Sequence, residues 1–132
     1  MLLIDTSVWI NLFRDKTGQV RDRLQALISD REVFLTRFNQ LELLQGCRDE
    51  QEWVLLQNYL QAQNYIELAA DSWQLAARIY YNLRRQGLTV RSSIDCCIAQ
   101  AALDHQLLLI HNDQDFEAIS QVCSLQHIRF QP

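Results

Sequence analysis

Several residue types that define whole classes of site are scarce in this sequence. Three glycines among 132 residues, with no glycine-rich run, argue against a nucleotide-binding phosphate loop. One proline and 21% charged residues, beside 48% hydrophobic residues, exclude a disordered chain and allow a real core. The length then predicts a single domain over residues 1–132.

Long apolar runs and paired cysteines are also missing. No run of about 18 apolar residues occurs, so no membrane span is expected. The chain opens with MLLID, without the basic stretch and long apolar run of a signal peptide, so the cytoplasm is the expected compartment. Reduced thiols that pack as small apolar side chains, rather than a zinc site, are expected at Cys47, Cys96, Cys97 and Cys123.

Negative charge predominates, with a formal net charge of −4. This balance alone argues against a nucleic-acid partner, because such proteins usually carry a basic surface. The argument weakens if several acids surround metal, since two Mg²⁺ ions would bring the sum to zero. Basic residues near the acids would then matter, and the candidates are Arg14, Lys16, Arg37, Arg48, Arg84, Arg85 and Arg91.

Short apolar runs alternate with helical patterns along the chain. Strands are predicted at Leu2–Ile4, Glu32–Leu35, Tyr65–Leu68, Leu107–Ile110 and, as an edge strand, His127–Phe130. Helices are predicted over Val8–Phe13, Val20–Ile28, Thr36–Gly46, Asp49–Gln61, Asp71–Gly87, Ile94–Asp104 and Asp115–Val122. The alternation predicts an α/β fold with a mostly parallel sheet and helices on both faces.

Local signals predict the helix starts and the buried faces. Thr6 or Ser7 is expected to cap the first helix. Two later helices are expected to bury apolar faces that include Leu41 and Leu75. A turn is predicted to begin at His111, directly after the fourth strand. Core or interface positions are expected for Trp9, Trp53 and Trp73.

Four carboxylates lie far apart in the sequence, yet each falls at a strand end or near a helix start. Asp5 follows the first strand and Asp113 follows the fourth, so both belong at the carboxyl edge of the sheet. Glu42 and Asp95 lie early on helices that follow loops, and Asp115 is a fifth candidate. Converging acids repel one another unless a divalent cation lies between them. Such a cluster is typical of a phosphodiester-cleaving metal site.

Each acid also has an ordinary structural explanation when it is taken alone. A helix cap accounts for Asp5, and a solvated helix face accounts for Glu42. The helix dipole favours Asp95 near a helix start, while a turn and a cap account for Asp113 and Asp115. The joint placement of the acids, rather than any single one, favours a site.

Three segments resemble the motifs of one family. LLIDTSVWINL resembles the opening motif of PIN domains, especially the VapC-type toxins of bacterial type II toxin–antitoxin modules. GLTVRSSIDCCIAQAALDHQLLLIHNDQDFEAI resembles their second half, with an acid opening an Ala-rich helix, an apolar strand and an N-D-x-D-F turn. LELLQG resembles the middle motif, which is weak by itself. The match spans nearly the whole chain.

The resemblance implies both a fold and an activity. The implied fold is a three-layer α/β/α sandwich with a sheet of four or five strands. The implied activity is that of a Mg²⁺-dependent endoribonuclease toxin, with Mn²⁺ as a substitute, in which water activated by the ion attacks RNA. It also implies a homodimer and a cognate antitoxin, whose arginine reaches the carboxylates. No membrane partner is expected.

The site residues carry over position by position. The implied catalytic acids are Asp5, Glu42, Asp95 and Asp113. Direct bonds to the ion are implied for Asp5, Asp95 and Asp113. Residues that orient these ligands from behind are Thr6, Ser7 and Asp115. We predict that substrate contacts Arg91 and Asn112. One departure leaves a helix start open, because 37–40 is more polar than the run that such proteins often carry before the second acid.

Two rival functions remain beside the nuclease. A catalytically inactive PIN-like adaptor for RNA or protein would lack one of the acids, and none is missing here. A phosphatase with an aspartyl intermediate needs a second Asp two residues on and a downstream lysine, whereas Thr6 and Ser7 follow Asp5 and the only lysine is Lys16. DNA as the substrate stays open, because metal-dependent chemistry does not itself read the 2′-hydroxyl.

Overall fold

A computed structural model describes residues 1–132 and contains five strands and seven helices. The strands are β1 (Leu2–Ile4), β2 (Val33–Thr36), β3 (Asn64–Ile66), β4 (Leu108–His111) and β5 (His127–Arg129). The helices are α1 (Thr6–Arg14), α2 (Gln19–Ile28), α3 (Arg37–Gln45), α4 (Glu50–Gln61), α5 (Ser72–Arg85), α6 (Ser93–Asp104) and α7 (Gln114–Ile119).

All five strands pair in parallel, in the order β3-β2-β1-β4-β5. The α/β fold with a parallel sheet is therefore confirmed, and β5 lies at an edge as predicted. Alternate side chains of β1 enter two separate cores, as a strand buried on both faces requires. Leu3 packs with residues of α5, α6 and α7, whereas Leu2 and Ile4 pack with residues of α1 to α4. The result is the three-layer arrangement.

The strand order creates one crevice at the carboxyl edge of the sheet. The chain moves from β1 outward through β2 to β3, and then returns to place β4 on the other side of β1. Ligands of open parallel sheets bind where the order reverses in this way. Asp5 leaves β1 at that point, and its N–H donates to the carbonyl of Ile110 in β4 at 2.9 Å.

Several local predictions need correction. Asp5, not Thr6 or Ser7, caps α1, because its carboxylate accepts the Ser7 N–H at 3.0 Å. His111 belongs to β4 rather than to the following turn, because its carbonyl accepts the Phe130 N–H at 2.7 Å.

The bounds of one strand and the buried faces of two helices also differ from the sequence predictions. The third strand covers Asn64–Ile66 rather than Tyr65–Leu68. Leu41 and Leu75 are 54% and 47% exposed, because Leu43 and Ala76 take the buried positions on their helices. Trp9 is buried, whereas Trp53 and Trp73 are exposed. All four cysteines are free thiols, and no helix is both long and apolar enough to span a bilayer.

Candidate active site

A polar pocket of about 470 Å³ opens at the crevice beside β1 and β4. Ile10 is the only apolar residue that lines it. The other lining residues are Asp5, Thr6, Ser7, Asn11, Glu42, Arg91, Ser92, Asp95, Asn112 and Asp113. Residues up to 108 positions apart thus share one pocket, and all four predicted catalytic acids line it.

Asp5 divides its two carboxylate oxygens between two environments. Oδ2 accepts the Ser7 N–H at 3.0 Å and the Ser7 Oγ–H at 2.7 Å. Oδ1 is buried and has no hydrogen-bond partner. Burial raises the pKa of Asp5, the Ser7 hydrogen bonds oppose that rise, and the charge of Asp113 adds to it. One oxygen of Asp5 therefore caps α1, while the other has no hydrogen-bond partner in the protein. Buried polar atoms without a partner are rare.

A relay of neutral donors holds Glu42. Asn39 on α3 is fully buried, and its Nδ2 donates to Thr6 Oγ1 at 3.1 Å. Thr6 Oγ1 in turn donates to Glu42 Oε1 at 2.8 Å. Asn39 Oδ1 accepts from both the N–H and the hydroxyl of Thr36, at 2.9 and 2.8 Å. The side-chain amide of Asn39 therefore links Thr36, which caps α3, to the hydroxyl of Thr6.

A similar relay ties the loop after β4 to Asp5. The Asn112 N–H donates to Ser7 Oγ at 2.9 Å, and Ser7 Oγ donates onward to Asp5. The Asn112 side chain also donates from Nδ2 to Asn11 Oδ1 at 3.1 Å. The two hydroxyls named by sequence thus have separate tasks, since Ser7 holds Asp5 and Thr6 holds Glu42.

A charged contact holds the acids of the last loop. Asp113 caps α7 through Oδ1, which accepts the Asp115 N–H at 2.9 Å, and its Oδ2 pairs with Arg91. Asp115 Oδ2 accepts from both the backbone N–H and the Nε of Arg91, each at 3.1 Å. Asp115 is buried but does not line the pocket, so it lies behind Asp113.

The surrounding acids and burial act together on Asp95. It lies in the first turn of α6, which Ser92 caps through a bond from the Ile94 N–H at 3.1 Å. Burial, followed by the charges of Asp5, Asp113, Glu42 and Asp115, raises the pKa of Asp95 from its ordinary 3.8 to about 8. Burial also raises the pKa of Glu42, which the Thr6 hydrogen bond partly opposes. Neighbouring carboxylates therefore resist simultaneous ionisation in the absence of a counter-charge.

The pocket fits a hard divalent cation. One oxygen each of Asp95, Asp113 and Asp115 lie within 4.8 Å of one another. Carboxylate oxygens are the ligands that Mg²⁺ prefers, and the unpartnered Asp5 Oδ1 supplies a further buried donor. The N-termini of α1, α6 and α7 adjoin the cluster, and their dipoles favour the ionised acids.

Other candidates from the sequence lie elsewhere. Of the seven basic candidates, only Arg91 lines the pocket. Arg48, for example, pairs with Glu52 on the surface at 2.8 Å. His111 is fully buried and does not line the pocket, but its Nδ1 accepts the Asp113 N–H at 3.2 Å while its Nε2 faces His127 Nδ1 at 2.9 Å.

Sequence reasoning missed three polar residues of the site. Asn11 and Ser92 line the pocket, and Asn39 donates to Thr6 from behind it. A signal for Asn39 existed, because Thr36 and Asn39 have the spacing of a capping box. The polarity of 37–40, which left the helix start open, is the mark of that box, and α3 begins at Arg37.

Comparison with known proteins agrees with this architecture. Residues 2–122 match the family described as PIN domain. Ribonuclease VapC11 of Mycobacterium tuberculosis is 32% identical, over 98% of this chain and 99% of the relative. Ribonuclease VapC51 of the same organism is 33% identical, over 91% of this chain and 85% of the relative.

Solved structures share the fold at lower identity. VapBC2 from Rickettsia felis, bound to a DNA fragment from its promoter, gives a TM-score of 0.80 at 16% identity, over 98% of each chain. VapBC-5 from Mycobacterium tuberculosis, a member of the VapBC family of toxin–antitoxin systems, gives 0.70 at 25% identity, over 98% of each chain. The family match and the coverage of these relatives agree with the motifs, and the chain belongs to the PIN-domain family.

Proposed function

We propose that this protein, as one domain over residues 1–132, is a Mg²⁺-dependent endoribonuclease and the toxin of a toxin–antitoxin module. The observation that carries the proposal is the pocket, which four distant acids line and in which one of them, Asp5, has an oxygen without a hydrogen-bond partner. The names of the relatives, VapC11 and VapC51 ribonucleases, supply the reaction class.

In this proposal Asp5, Asp95 and Asp113 hold the cation. Glu42 holds it directly or through water, and Asp115 fixes Asp113 from behind. Mn²⁺ substitutes for Mg²⁺, because both accept octahedral oxygen ligands. The bound ion supplies an activated water and offsets the charge that develops on the phosphoryl oxygens.

The protein's own residues set the geometry for that reaction. Ser7 and Thr6 fix Asp5 and Glu42 through short hydrogen bonds, so those carboxylates need little rearrangement when a ligand enters. Because burial and the neighbouring acids raise its pKa to about 8, Asp95 holds a proton at neutral pH in the free pocket. A cation held there would favour the ionised form of Asp95, so the proton would be lost to solvent. Arg91 and Asn112 line the mouth and contact the substrate phosphate.

The proposed partners are RNA, an antitoxin and a second copy of the chain. Because the proposed substrate is RNA, we expect the protein to act in the cytoplasm. The exposed apolar side chains of Leu41, Val54, Leu55 and Trp53 support a protein partner, since such surfaces are frequent at interfaces. A VapBC-5 complex among the structures of similar fold supports the antitoxin in particular.

Expression in a bacterium tests the proposal. The chain alone should arrest growth and create new RNA 5′ ends, and co-expression of its genomic neighbour should relieve the arrest. Asp95→Asn is the matched inactive control. Purified protein should cleave RNA with Mg²⁺ and not with EDTA, while a matched DNA oligonucleotide distinguishes the substrate. A chain that leaves growth and RNA unchanged would favour the inactive adaptor.

A further inference from the structure

Arg91 is an exposed cation that reaches into a buried set of acids. Its side chain is 76% exposed, whereas those of Asp113 and Asp115 are 11% and 8% exposed. Arg91 lies in the loop between α5 and α6, and its guanidinium bridges one oxygen of each acid. It is the only cationic residue that lines the pocket.

Arg91 contacts an atom that a bound cation would need, the Oδ2 of Asp113. Asp113 Oδ1 already accepts the Asp115 N–H as a helix cap, so Oδ2 is the oxygen of Asp113 left for a ligand. Arg91 donates to that Oδ2. Asp95, Asp113 and Asp115 also form the group whose oxygens lie within 4.8 Å of one another. A divalent ion held by Asp113 and the guanidinium would therefore compete for one oxygen, and their positive charges would repel at that distance.

We propose that Arg91 is an exchangeable counter-ion, which neutralises Asp113 and Asp115 until a divalent cation replaces it and which then turns to the substrate phosphate. This inference rests on the proposed function and adds an order of events to it. The binding of the cation and the release of Arg91 become one step, so the bound cation and the Arg91 ion pairs weaken each other by the same free energy.

The construction of the loop allows the exchange. The Arg91 backbone N–H donates to Asp115 Oδ2 at 3.1 Å, which anchors the loop without the guanidinium. The exposed side chain gains little from its ion pairs, because solvent-accessible pairs contribute about 0–1 kcal/mol. A freed guanidinium presents a planar fork of donors that suits phosphate oxygens.

A purely supporting role for Arg91 makes the opposite prediction. If Arg91 only orients Asp115 for the ion, its removal weakens cation binding and RNA binding together. If Arg91 competes with the ion, its removal tightens cation binding while it weakens RNA binding. The direction of the two changes therefore separates the two roles.

The experiment titrates Mn²⁺ calorimetrically into the full chain and measures the KM for RNA at saturating Mn²⁺. Arg91→Gln should bind Mn²⁺ roughly two- to fivefold more tightly, from the loss of a competing pair. Its KM for RNA should rise about tenfold, with a weaker dependence on salt. Arg129→Gln removes a nearby charge that donates to Glu117 and to Asn112 Oδ1, each at 3.4 Å, but to none of the four acids that line the pocket. It should change Mn²⁺ affinity by less than about twofold.

Arg91→Lys keeps the charge but lacks the fork, so its Mn²⁺ affinity should lie between those of the wild type and Arg91→Gln. It carries the test if Arg91→Gln fails to fold. Unchanged or weaker Mn²⁺ binding in both variants, in a wild type that binds Mn²⁺ and cleaves RNA, overturns this inference alone. A wild type that neither binds Mn²⁺ nor cleaves RNA overturns the proposed function with it.

Discussion

The two sides of the pocket are held by different chemistry. On the hydroxyl-held side, which comprises Asp5 and Glu42, neutral Ser7 and Thr6 donate at 2.7 and 2.8 Å. On the arginine-held side, which comprises Asp113 and Asp115, the donor is a charged and exposed guanidinium. Neutral donors fix a carboxylate without cancelling its charge, so the hydroxyl-held side keeps both its geometry and its demand for a cation. The arginine-held side is satisfied electrostatically until something replaces Arg91.

Asp95 lies between the two sides, and no hydrogen bond offsets its burial. Burial raises its pKa to about 8, and the charges of the surrounding acids add to that rise. The comparison therefore teaches that the hydroxyl-held side fixes the geometry of its acids, whereas the arginine-held side can exchange its counter-charge. Asp95, between them, has no partner that offsets its burial or the repulsion of its neighbours.

Asp95→Asn should have the largest effect on activity. The amide is nearly isosteric, so the fold should persist, but one charged ligand is lost. We expect RNA cleavage to fall by roughly 10²-fold or more, since the ion contributes several kcal/mol to the transition state. Cleavage assays with purified, Mg²⁺-replete protein measure this loss, with circular dichroism as the control for folding. Cleavage at the wild-type rate would remove Asp95 from the site.

The second prediction concerns pH and stability in EDTA. The folded pKa of Asp95 lies above its unfolded value, so its contribution is complete below about pH 4 and is lost as the pH rises to about 8. The raised pKa values of Asp5 and Glu42 act in the same direction. His111 opposes them below about pH 6.5, because burial lowers its pKa to about 4. The clear window is therefore pH 6.5 to 8.

Across that window the Tm in EDTA should fall, by the equivalent of about 1–2 kcal/mol, since each pH unit contributes at most about 1.4 kcal/mol per proton. Asp95→Asn should flatten the decline. Millimolar Mg²⁺ should raise the Tm, and more so at pH 8 than at pH 6.5, because the ion binds only to the folded form with its acids ionised. A Tm in EDTA that rises across the window would contradict the raised pKa of Asp95.

Asn39→Ala should act on the hydroxyl-held side, and its expected effect is on stability. It leaves Thr36 without its acceptor and frees the Thr6 hydroxyl to turn from Glu42. We expect a loss of about 1–3 kcal/mol in the free energy of unfolding, measured with urea. Asn58→Ala, on the exposed face of α4, should change it by less than about 0.5 kcal/mol. Equal effects of the two variants would show that the relay contributes nothing to stability.

The sequence reveals the positions of the acids better than it reveals what holds them. An acid that follows a strand directly or within a few residues is predicted to lie at the edge of the sheet, and this rule places Asp5 and Asp113 correctly. Spacing also predicts the Thr36 cap. Local patterns do not show which hydroxyl meets which acid, because Thr6 and Glu42 are 36 residues apart and meet only through the packing of α1 against α3.

Two further features depend on tertiary structure alone. The two oxygens of Asp5 face different surroundings, since one caps a helix and the other is buried without a partner. A role as helix cap and the proposed role as metal ligand are therefore compatible for this residue. The contact of Arg91 with Asp113 and Asp115 depends on how the loop before α6 folds over α7. Helix spacing misplaces Leu41 and Leu75 for a related reason, since small shifts in helix rotation decide which apolar neighbour is buried.

The anomalous signal of Mn²⁺ in crystals of the protein tests the central claim most directly. The account predicts a peak inside the pocket, about 2.1 Å from carboxylate oxygens of Asp95 and Asp113, with Arg91 withdrawn from Asp113 Oδ2. Crystals that are saturated with Mn²⁺ and show no peak among these acids would contradict the account.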